Sequence, residues 1–141
     1  MIVKKEDYVL DVDVERTRGH YTCNSICSCP SCRNYYAAVK DRFHLLDEFF
    51  LELGVDIERP DELGCIGSDN KIQYLFAVYT VCGKIIEFDK YEIDLFEDSG
   101  VISIVISNLL DSDEQRGDHF VITVYNITLP WVLTEPLSEG C

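Results

Sequence analysis

A single stripe of large apolar side chains between residues 30 and 54 most constrains the fold of this chain. The stripe recurs at steps of three and four residues, which is the spacing of one face of an α-helix. Proline suits the first turn of a helix and glycine its end, so Pro30 and Gly54 set the expected limits. The sequence therefore predicts one amphipathic helix over about residues 32–53, with a buried face made of Tyr35, Val39, Phe43, Leu46, Phe50 and Leu53.

Strand patterns surround this helix on both sides. Residues 8–14 alternate apolar and acidic side chains, as in a strand with one solvated face. Residues 72–82 are apolar on both faces and predict a central strand, which Gly83 turns into a further strand at 84–88. Other predicted strands are 91–96, 101–107 and 119–129, and the predicted loops are 21–28, 56–70 and 111–118. The expected fold class is α+β, an antiparallel sheet of five or six strands covered by one long helix.

Size and charge bound the function. A chain of 141 residues fits one domain, residues 1–141. The net charge of −14 would repel nucleic acid and anionic membranes, so neither is an expected partner. The acidity is typical of a solvated surface, and it also suits docking to a basic protein. No apolar run approaches the roughly 20 residues of a membrane-spanning helix, and no signal peptide is recognised, so we expect a cytoplasmic protein.

The densest chemical feature is a group of four cysteines within ten residues, with a histidine close by. These residues are Cys23, Cys27, Cys29, Cys32 and His20. Zinc prefers four tetrahedral thiolate or imidazole ligands, often in pairs two to four residues apart. The four cysteines form two such pairs, and His20 is a substitute ligand. The two pairs are separated by a single residue, which is an unusually short spacing for a zinc site. The sequence therefore predicts a zinc site as one hypothesis, with Arg33 and Asn34 either anchoring the loop or facing a ligand.

Two other interpretations of the cysteines stay open. Cys29 and Cys32 form a C-P-x-C motif at the start of the predicted helix, where unpaired backbone N–H groups would stabilise a thiolate for redox catalysis. The motif is similar to that of glutaredoxins, but the polar segment before it does not supply the buried strand of that fold. In the last interpretation the cysteines pack as small apolar thiols, as expected above all for Cys82 and Cys65. Either of these two is also a candidate distant metal ligand.

Three segments resemble a family of small uncharacterised bacterial proteins. They are a C-x-x-C-R-N-aromatic motif at 29–35, an L-G-[IV]-D turn at 53–56 and a P-W-V-L tail at 130–133. The resemblance covers nearly the whole chain. It implies that the first motif opens a helix, the second ends it and the third closes a single domain. No activity is established for the family, so the resemblance implies no catalytic residue, and Cys23 and Cys27 lie outside its motifs.

No catalytic motif accompanies these features, since the sequence has no nucleophile elbow, phosphate-binding loop or zinc-protease helix. We therefore expect a non-enzymatic domain that binds a partner protein, for example an immunity-type protein that neutralises a basic toxin. The enzyme alternative is a thiol oxidoreductase that uses Cys29 and Cys32. A third alternative is a small-molecule pocket between helix and sheet, lined by Tyr35, Phe43, Tyr74 and Phe76.

Overall fold

The computed structural model describes residues 1–5, 8–23, 27–68, 71–88, 92–97, 100–107 and 119–134. Within them the chain forms three helices: α1 (Val14–Cys23), α2 (Pro30–Arg42) and α3 (His44–Leu53). The same residues form eight strands: β1 (Ile2–Lys5), β2 (Tyr8–Val12), β3 (Glu62–Ser68), β4 (Lys71–Phe88), β5 (Glu92–Glu97), β6 (Gly100–Ser107), β7 (His119–Tyr125) and β8 (Ile127–Pro130). The α+β class is confirmed. The predicted counts of one helix and five or six strands are wrong for this part of the chain, and the acidic connection at 111–118 lies outside it.

The long strand β4 organises an antiparallel sheet. The strand order is β1-β2-β4-β7-β6-β5, and β3 and β8 also pair with β4. The predicted turn at Gly83 is wrong, because β4 continues through this residue for a total of 18 residues. Gly83 has a φ of +150°, and a Cβ there would collide with the backbone carbonyl oxygen of Asp11 in β2. Glycine is therefore required at this position for the close approach of β2 to β4.

The predicted apolar stripe is confirmed as the side of the helices that faces the core. All six of its residues are buried, and none is more than 2% exposed. The stripe belongs to two helices, however, because the chain leaves helical geometry at Phe43, with φ −127° and ψ 75°. A carboxylate from β5, that of Glu97, accepts the backbone N–H groups of Leu45 and Leu46 at 3.1 and 2.8 Å. These N–H groups would otherwise be unpaired at a new helix start, and α3 then ends at Gly54 as predicted, with φ 85°.

The helix α1 lies where the sequence predicts the end of a strand and a loop. It packs beside β4 in the stretch between the pairings with β3 and β2. The Thr17 hydroxyl accepts the backbone N–H of Cys82 at 3.0 Å, and the Tyr21 hydroxyl donates to the carbonyl of Thr80 at 2.7 Å. The N–H of Asp13 donates to the carbonyl of Cys82 at 2.8 Å. Side chains of α1 and the backbone at its start thus pair with this part of β4 in place of a neighbouring strand. No apolar periodicity in the sequence predicts this helix.

Two smaller corrections concern the strands. The predicted loop at 56–70 contains β3, whose Gly64 lies so close to Phe76 that a Cβ would come within 2.5 Å of its ring. The predicted strand at 119–129 divides into β7 and β8 at Asn126, which has a φ of 68°. Asparagine tolerates this left-handed conformation better than most residues, so the chain can kink there and both strands still pair with β4.

Buried tyrosines join the helices to the sheet through hydrogen bonds. The Tyr79 hydroxyl donates to the carbonyl of Ile57 at 2.6 Å, so it accepts from the hydroxyl of Tyr35, 2.6 Å away. Burial raises the pKa of both phenols, which therefore stay protonated and neutral. A third phenol, that of Tyr74, donates to the carbonyl of Ser31 at 2.6 Å and fixes the first turn of α2. None of the helices in the described residues is long and apolar enough to cross a membrane.

Candidate metal centre

The first turn of α2 positions the cysteines. Cys29 is the residue before the helix, with φ −67° and ψ 156°, and Pro30 is in the first turn. Proline has no N–H to leave unpaired and its fixed φ suits a helix start. The N–H of Arg33 donates to the carbonyl of Cys29 at 3.0 Å, so the helical hydrogen bonds begin there. Cys32, three residues further on, points inward and is 4% exposed.

Three of the four predicted cysteine ligands come together. The Sγ atoms of Cys27, Cys29 and Cys32 all lie within 4.8 Å of one another, and no other histidine, cysteine or carboxylate of the described residues joins this group. Zinc–sulfur bonds of about 2.3 Å place tetrahedral thiolates roughly 3.8 Å apart. The three thiols, called the thiol cluster below, therefore have a spacing that a metal ion can close.

Accessibility and charge differ across the thiol cluster. Cys27 is exposed, Cys29 is half-buried and Cys32 is buried. The backbone N–H of Cys29 donates to Cys27 Sγ at 3.5 Å. This bond, with further hydrogen bonds from the other two thiols, lowers the pKa of Cys27. Burial raises the pKa of Cys32, and its hydrogen bonds to the neighbouring thiols raise it further. A bound cation would be needed to keep Cys32 as a thiolate at neutral pH.

Side chains outside the thiol cluster hold its backbone. The Nε of Arg33 donates to the carbonyl of Ser28 at 2.8 Å, and the Tyr36 hydroxyl donates to the carbonyl of Cys27 at 2.9 Å. Burial and the nearby thiols raise the pKa of Tyr36 to about 12, so it is a neutral donor at ordinary pH. These contacts confirm that Arg33 anchors the loop. The role of Tyr36 has no signal in the sequence beyond its position near the cysteines, and that of Tyr74, which is 43 positions from Ser31, has none.

Asn34 connects the same helix turn to the end of the chain. Its amide is fully buried. The Nδ2 donates to the carbonyl of Pro130 at 3.1 Å, and the Oδ1 accepts the backbone N–H of Val132 at 2.8 Å. Asn34 is therefore a polar anchor, but it holds the end of β8 and the residues after it, so the expectation that it anchors the cysteine loop is wrong.

The structure places the other predicted ligands differently. His20 is not part of the thiol cluster, because its Nε2 lies 2.9 Å from Oδ1 of Asp61 and its ring packs edge-on against Tyr21. Burial alone would raise the pKa of Asp61, but hydrogen bonds from His20 and Thr80 lower it. The side chain of Cys23 lies outside the described residues, so its place in a four-cysteine site stays a prediction.

The remaining cysteines of the described residues separate into two kinds. Cys65 is disulfide-bonded, which contradicts its interpretation as a reduced thiol or a distant metal ligand. Its partner is none of Cys27, Cys29, Cys32 and Cys82, which are all free. Cys82 lies on β4 as predicted and is half-buried rather than fully buried. A disulfide in the chain is more typical of an oxidising compartment than of the cytoplasm.

The expected small-molecule pocket between helix and sheet is also corrected. Tyr35, Phe43 and Tyr74 are at most 2% exposed and are packed in the core. The rings of Tyr35 and Tyr74 are in edge-to-face contact, with centroids 4.9 Å apart. Phe76 lies elsewhere, against Gly64 of β3. These four residues stabilise the fold and do not surround a ligand.

Two of the three segments of the family resemblance lie at helix ends, but the second ends a different helix from the one that the first opens. The first opens α2, the second ends α3 at Gly54, and the third follows β8 and contacts Asn34. No family model, curated protein or solved structure matches this chain. Membership of the family therefore stays a prediction.

Proposed function

We propose that this chain is a non-enzymatic domain that binds a partner protein, and that zinc stabilises its cysteine loop. The observation that carries the zinc assignment is the convergence of the Sγ atoms of Cys27, Cys29 and Cys32 within 4.8 Å. A set of three sulfur donors favours thiophilic metals over magnesium or calcium, which prefer oxygen ligands. Structural zinc has four ligands. Cys23 is our candidate for the fourth, which requires that Cys141, and not Cys23, is the disulfide partner of Cys65.

The metal content of the purified protein tests this assignment. We expect close to one zinc per chain after expression without added metal, and a lower melting temperature in a chelator because binding energy contributes to folding. Cys32→Ser should abolish zinc binding, whereas Cys82→Ser is the matched control and should retain it. The assignment would be refuted if the purified protein contained no metal and its melting temperature did not change in the chelator. Cys23→Ser then tests the fourth ligand, and His20→Ala is its control, because His20 pairs with Asp61.

The partner-binding assignment rests on charge and on the lack of catalytic motifs. A net charge of −14 would speed encounter with a basic protein, as expected of an immunity-type protein that neutralises a basic toxin. The immunity hypothesis is tested by expressing a candidate toxin, encoded next to this gene, with and without this chain. Protection from toxicity supports it, and unchanged toxicity together with no complex on gel filtration would contradict it.

A thiol oxidoreductase is the second candidate. The observation that favours it is the pairing of a half-buried Cys29 before α2 with a buried Cys32 in its first turn. A catalytic dithiol needs an accessible, reactive first thiol. We expect Cys29 to react with iodoacetamide at pH 6 no faster than an ordinary thiol, and no glutathione-dependent reductase activity above background. Fast alkylation and turnover, both lost in Cys29→Ser, would favour the oxidoreductase instead.

The redox state of the cysteines in cells indicates the compartment in which the protein lies. We expected the cytoplasm, but the disulfide at Cys65 counts against it, because cytosolic reductants keep most thiols reduced. Acid quenching of cells followed by thiol labelling and mass spectrometry counts the reduced cysteines. Labelling of Cys65 in native cells would restore the cytoplasmic interpretation, and its protection would favour an oxidising compartment.

A further inference from the structure

The sheet has one face covered by helices. Tyr74 and Tyr79 of β4 point to this face, where their rings contact Tyr35 of α2 at 4.9 Å and Phe50 of α3 at 4.5 Å between centroids. On the neighbouring strands the buried apolar residues alternate along the chain: Ile102, Ile104 and Ile106 on β6, and Phe120, Ile122 and Val124 on β7. The residues between them must therefore point to the opposite face, since side chains alternate along a strand.

That opposite face is also apolar. Strand register brings Phe96 opposite Val101, and Thr123 of β7 opposite both Val105 of β6 and Val78 of β4. Three of its side chains are strongly exposed: Phe96 at 73%, Val101 at 47% and Tyr125 at 39%. In the part of the chain that the structure describes, no helix packs on these residues. We call the following set the outer face: Val78, Phe96, Val101, Val105, Val121, Thr123 and Tyr125.

Acidic side chains border the outer face. Glu92 and Asp94 lie on the same side of β5 as Phe96, and both are exposed. The strands β5, β6 and β7 contain no lysine or arginine. The hydroxyl of Ser103 donates to Asp94 Oδ1 at 3.1 Å and holds this carboxylate beside the apolar residues. An exposed apolar patch with a rim of one charge is typical of a protein interaction site.

We propose that the outer face docks a basic partner protein through an apolar surface flanked by lysine or arginine. This inference rests on the proposed partner-binding function and names the surface that performs it. A second copy of this chain fits less well, because it would bring two net charges of −14 and two sets of Glu92 and Asp94 together. A partner with basic residues around an apolar centre complements both parts of the surface.

A model partner tests the surface directly. The probe is a fluorescent amphipathic peptide of lysine and leucine, titrated at fixed ionic strength, and the control peptide of equal charge contains lysine and serine. Because burial of a phenylalanine side chain is worth about 1.5–3 kcal/mol, Phe96→Ser should weaken binding roughly tenfold or more. Leu51→Ser is the matched control, since Leu51 on α3 is 59% exposed and lies on another surface. It should change the affinity less than about twofold.

The charge part of the proposal has its own pair of variants. Glu92→Gln should weaken binding and reduce its dependence on salt, whereas Glu48→Gln, an exposed change on α3, should do neither. Melting temperatures of all variants check that each is folded.

Besides binding that survives Phe96→Ser, three outcomes would overturn the inference. They are equal losses for Phe96→Ser and Leu51→Ser, equal affinity for the lysine–serine peptide, and a dimer in sedimentation that Phe96→Ser dissociates. Binding that survives Phe96→Ser would leave a partner-binding function and refute only this surface. Absence of any peptide binding would contradict this surface, whereas the partner-binding function is tested separately by protection from the toxin. The zinc content of the same samples reports separately on the thiol cluster.

Discussion

The helices α2 and α3, which the sequence pattern joins into one, are attached to the sheet by different physics. α3 contributes apolar side chains, and Leu46, Phe50 and Leu53 have no exposed surface. α2 also buries polar groups, among them Ser31 and Asn34, and pairs them with the rest of the chain. The comparison teaches that removing a side chain from α3 should leave a cavity, whereas removing one from α2 should leave unpaired polar atoms.

The largest effect is expected on the apolar side of this comparison. Phe50→Ala removes a ring that packs 4.5 Å from the ring of Tyr79, centroid to centroid. Such a cavity lowers the free energy of unfolding by about 3–5 kcal/mol, and Phe43→Ala should behave similarly. Urea unfolding measures both. Leu51→Ala, on the exposed side of α3, should stay within about 0.5 kcal/mol, and losses below about 1 kcal/mol for both phenylalanines would show that the face is wrongly assigned.

Asn34→Ala tests the polar attachment of α2. The change leaves the carbonyl of Pro130 and the N–H of Val132 without their partner. We expect a loss of roughly 1–2 kcal/mol in the free energy of unfolding, because a buried unpaired group costs about 1–3 kcal/mol and these two are only partly buried. Asn34→Asp should also destabilise, since a carboxylate cannot donate to Pro130. Increased hydrogen exchange confined to the chain around Val132 would support the role, and an unchanged unfolding curve would disprove it.

Glu97→Gln tests why there are two helices instead of one. The charged carboxylate accepts two N–H groups at the start of α3, at 2.8 and 3.1 Å, and also interacts favourably with the helix dipole. The amide keeps the shape but loses the charge, so we expect a loss of about 1 kcal/mol in the free energy of unfolding. Glu48→Gln is the control within α3. Equal effects of the two changes would mean that the carboxylate of Glu97 is not acting as a cap.

The sequence predicts the parts of the fold that depend on local periodicity. The stripe from Tyr35 to Leu53, the limits at Pro30 and Gly54 and the strand β6 all follow from spacing and residue type. The features it misses depend on distant partners. Asn34 meets residues 96 and 98 positions away, and α1 provides hydrogen-bond partners to the backbone of the distant strand β4.

The residues of the candidate site also separate into those that local sequence predicts and those that depend on distant contacts. Cys27, Cys29 and Cys32 are close in sequence, and the first turn of α2 brings their sulfur atoms together. His20 is equally close in sequence but pairs with Asp61, which is 41 residues away. Local density of ligand residues thus predicted the cluster, while only the packing of α1 decides which residue lies beside His20.

The pair of His20 and Asp61 gives the smallest expected effect, and it is visible only through pH. Hydrogen bonds from His20 and Thr80 hold the pKa of Asp61 below its ordinary value of 3.8 in the folded chain. A carboxyl whose pKa is lower when folded stabilises the fold above its unfolded pKa, and this contribution is lost as pH falls through the folded value. The side chains of His20 and Asp61 are 27% and 21% exposed, and ion pairs near solvent are weak. We therefore expect Asp61→Asn to cost roughly 0.5 kcal/mol at pH 6.

The difference between wild type and Asp61→Asn should shrink as the pH falls below the ordinary carboxyl pKa of 3.8 and through the lower value of the folded chain. Comparing the two chains is necessary because acid also relieves the repulsion within a chain of net charge −14. Glu48→Gln removes an exposed carboxylate instead and should show no such convergence. A constant difference between wild type and Asp61→Asn across this range would mean that the carboxylate charge of Asp61 contributes nothing to holding α1 against the start of β3.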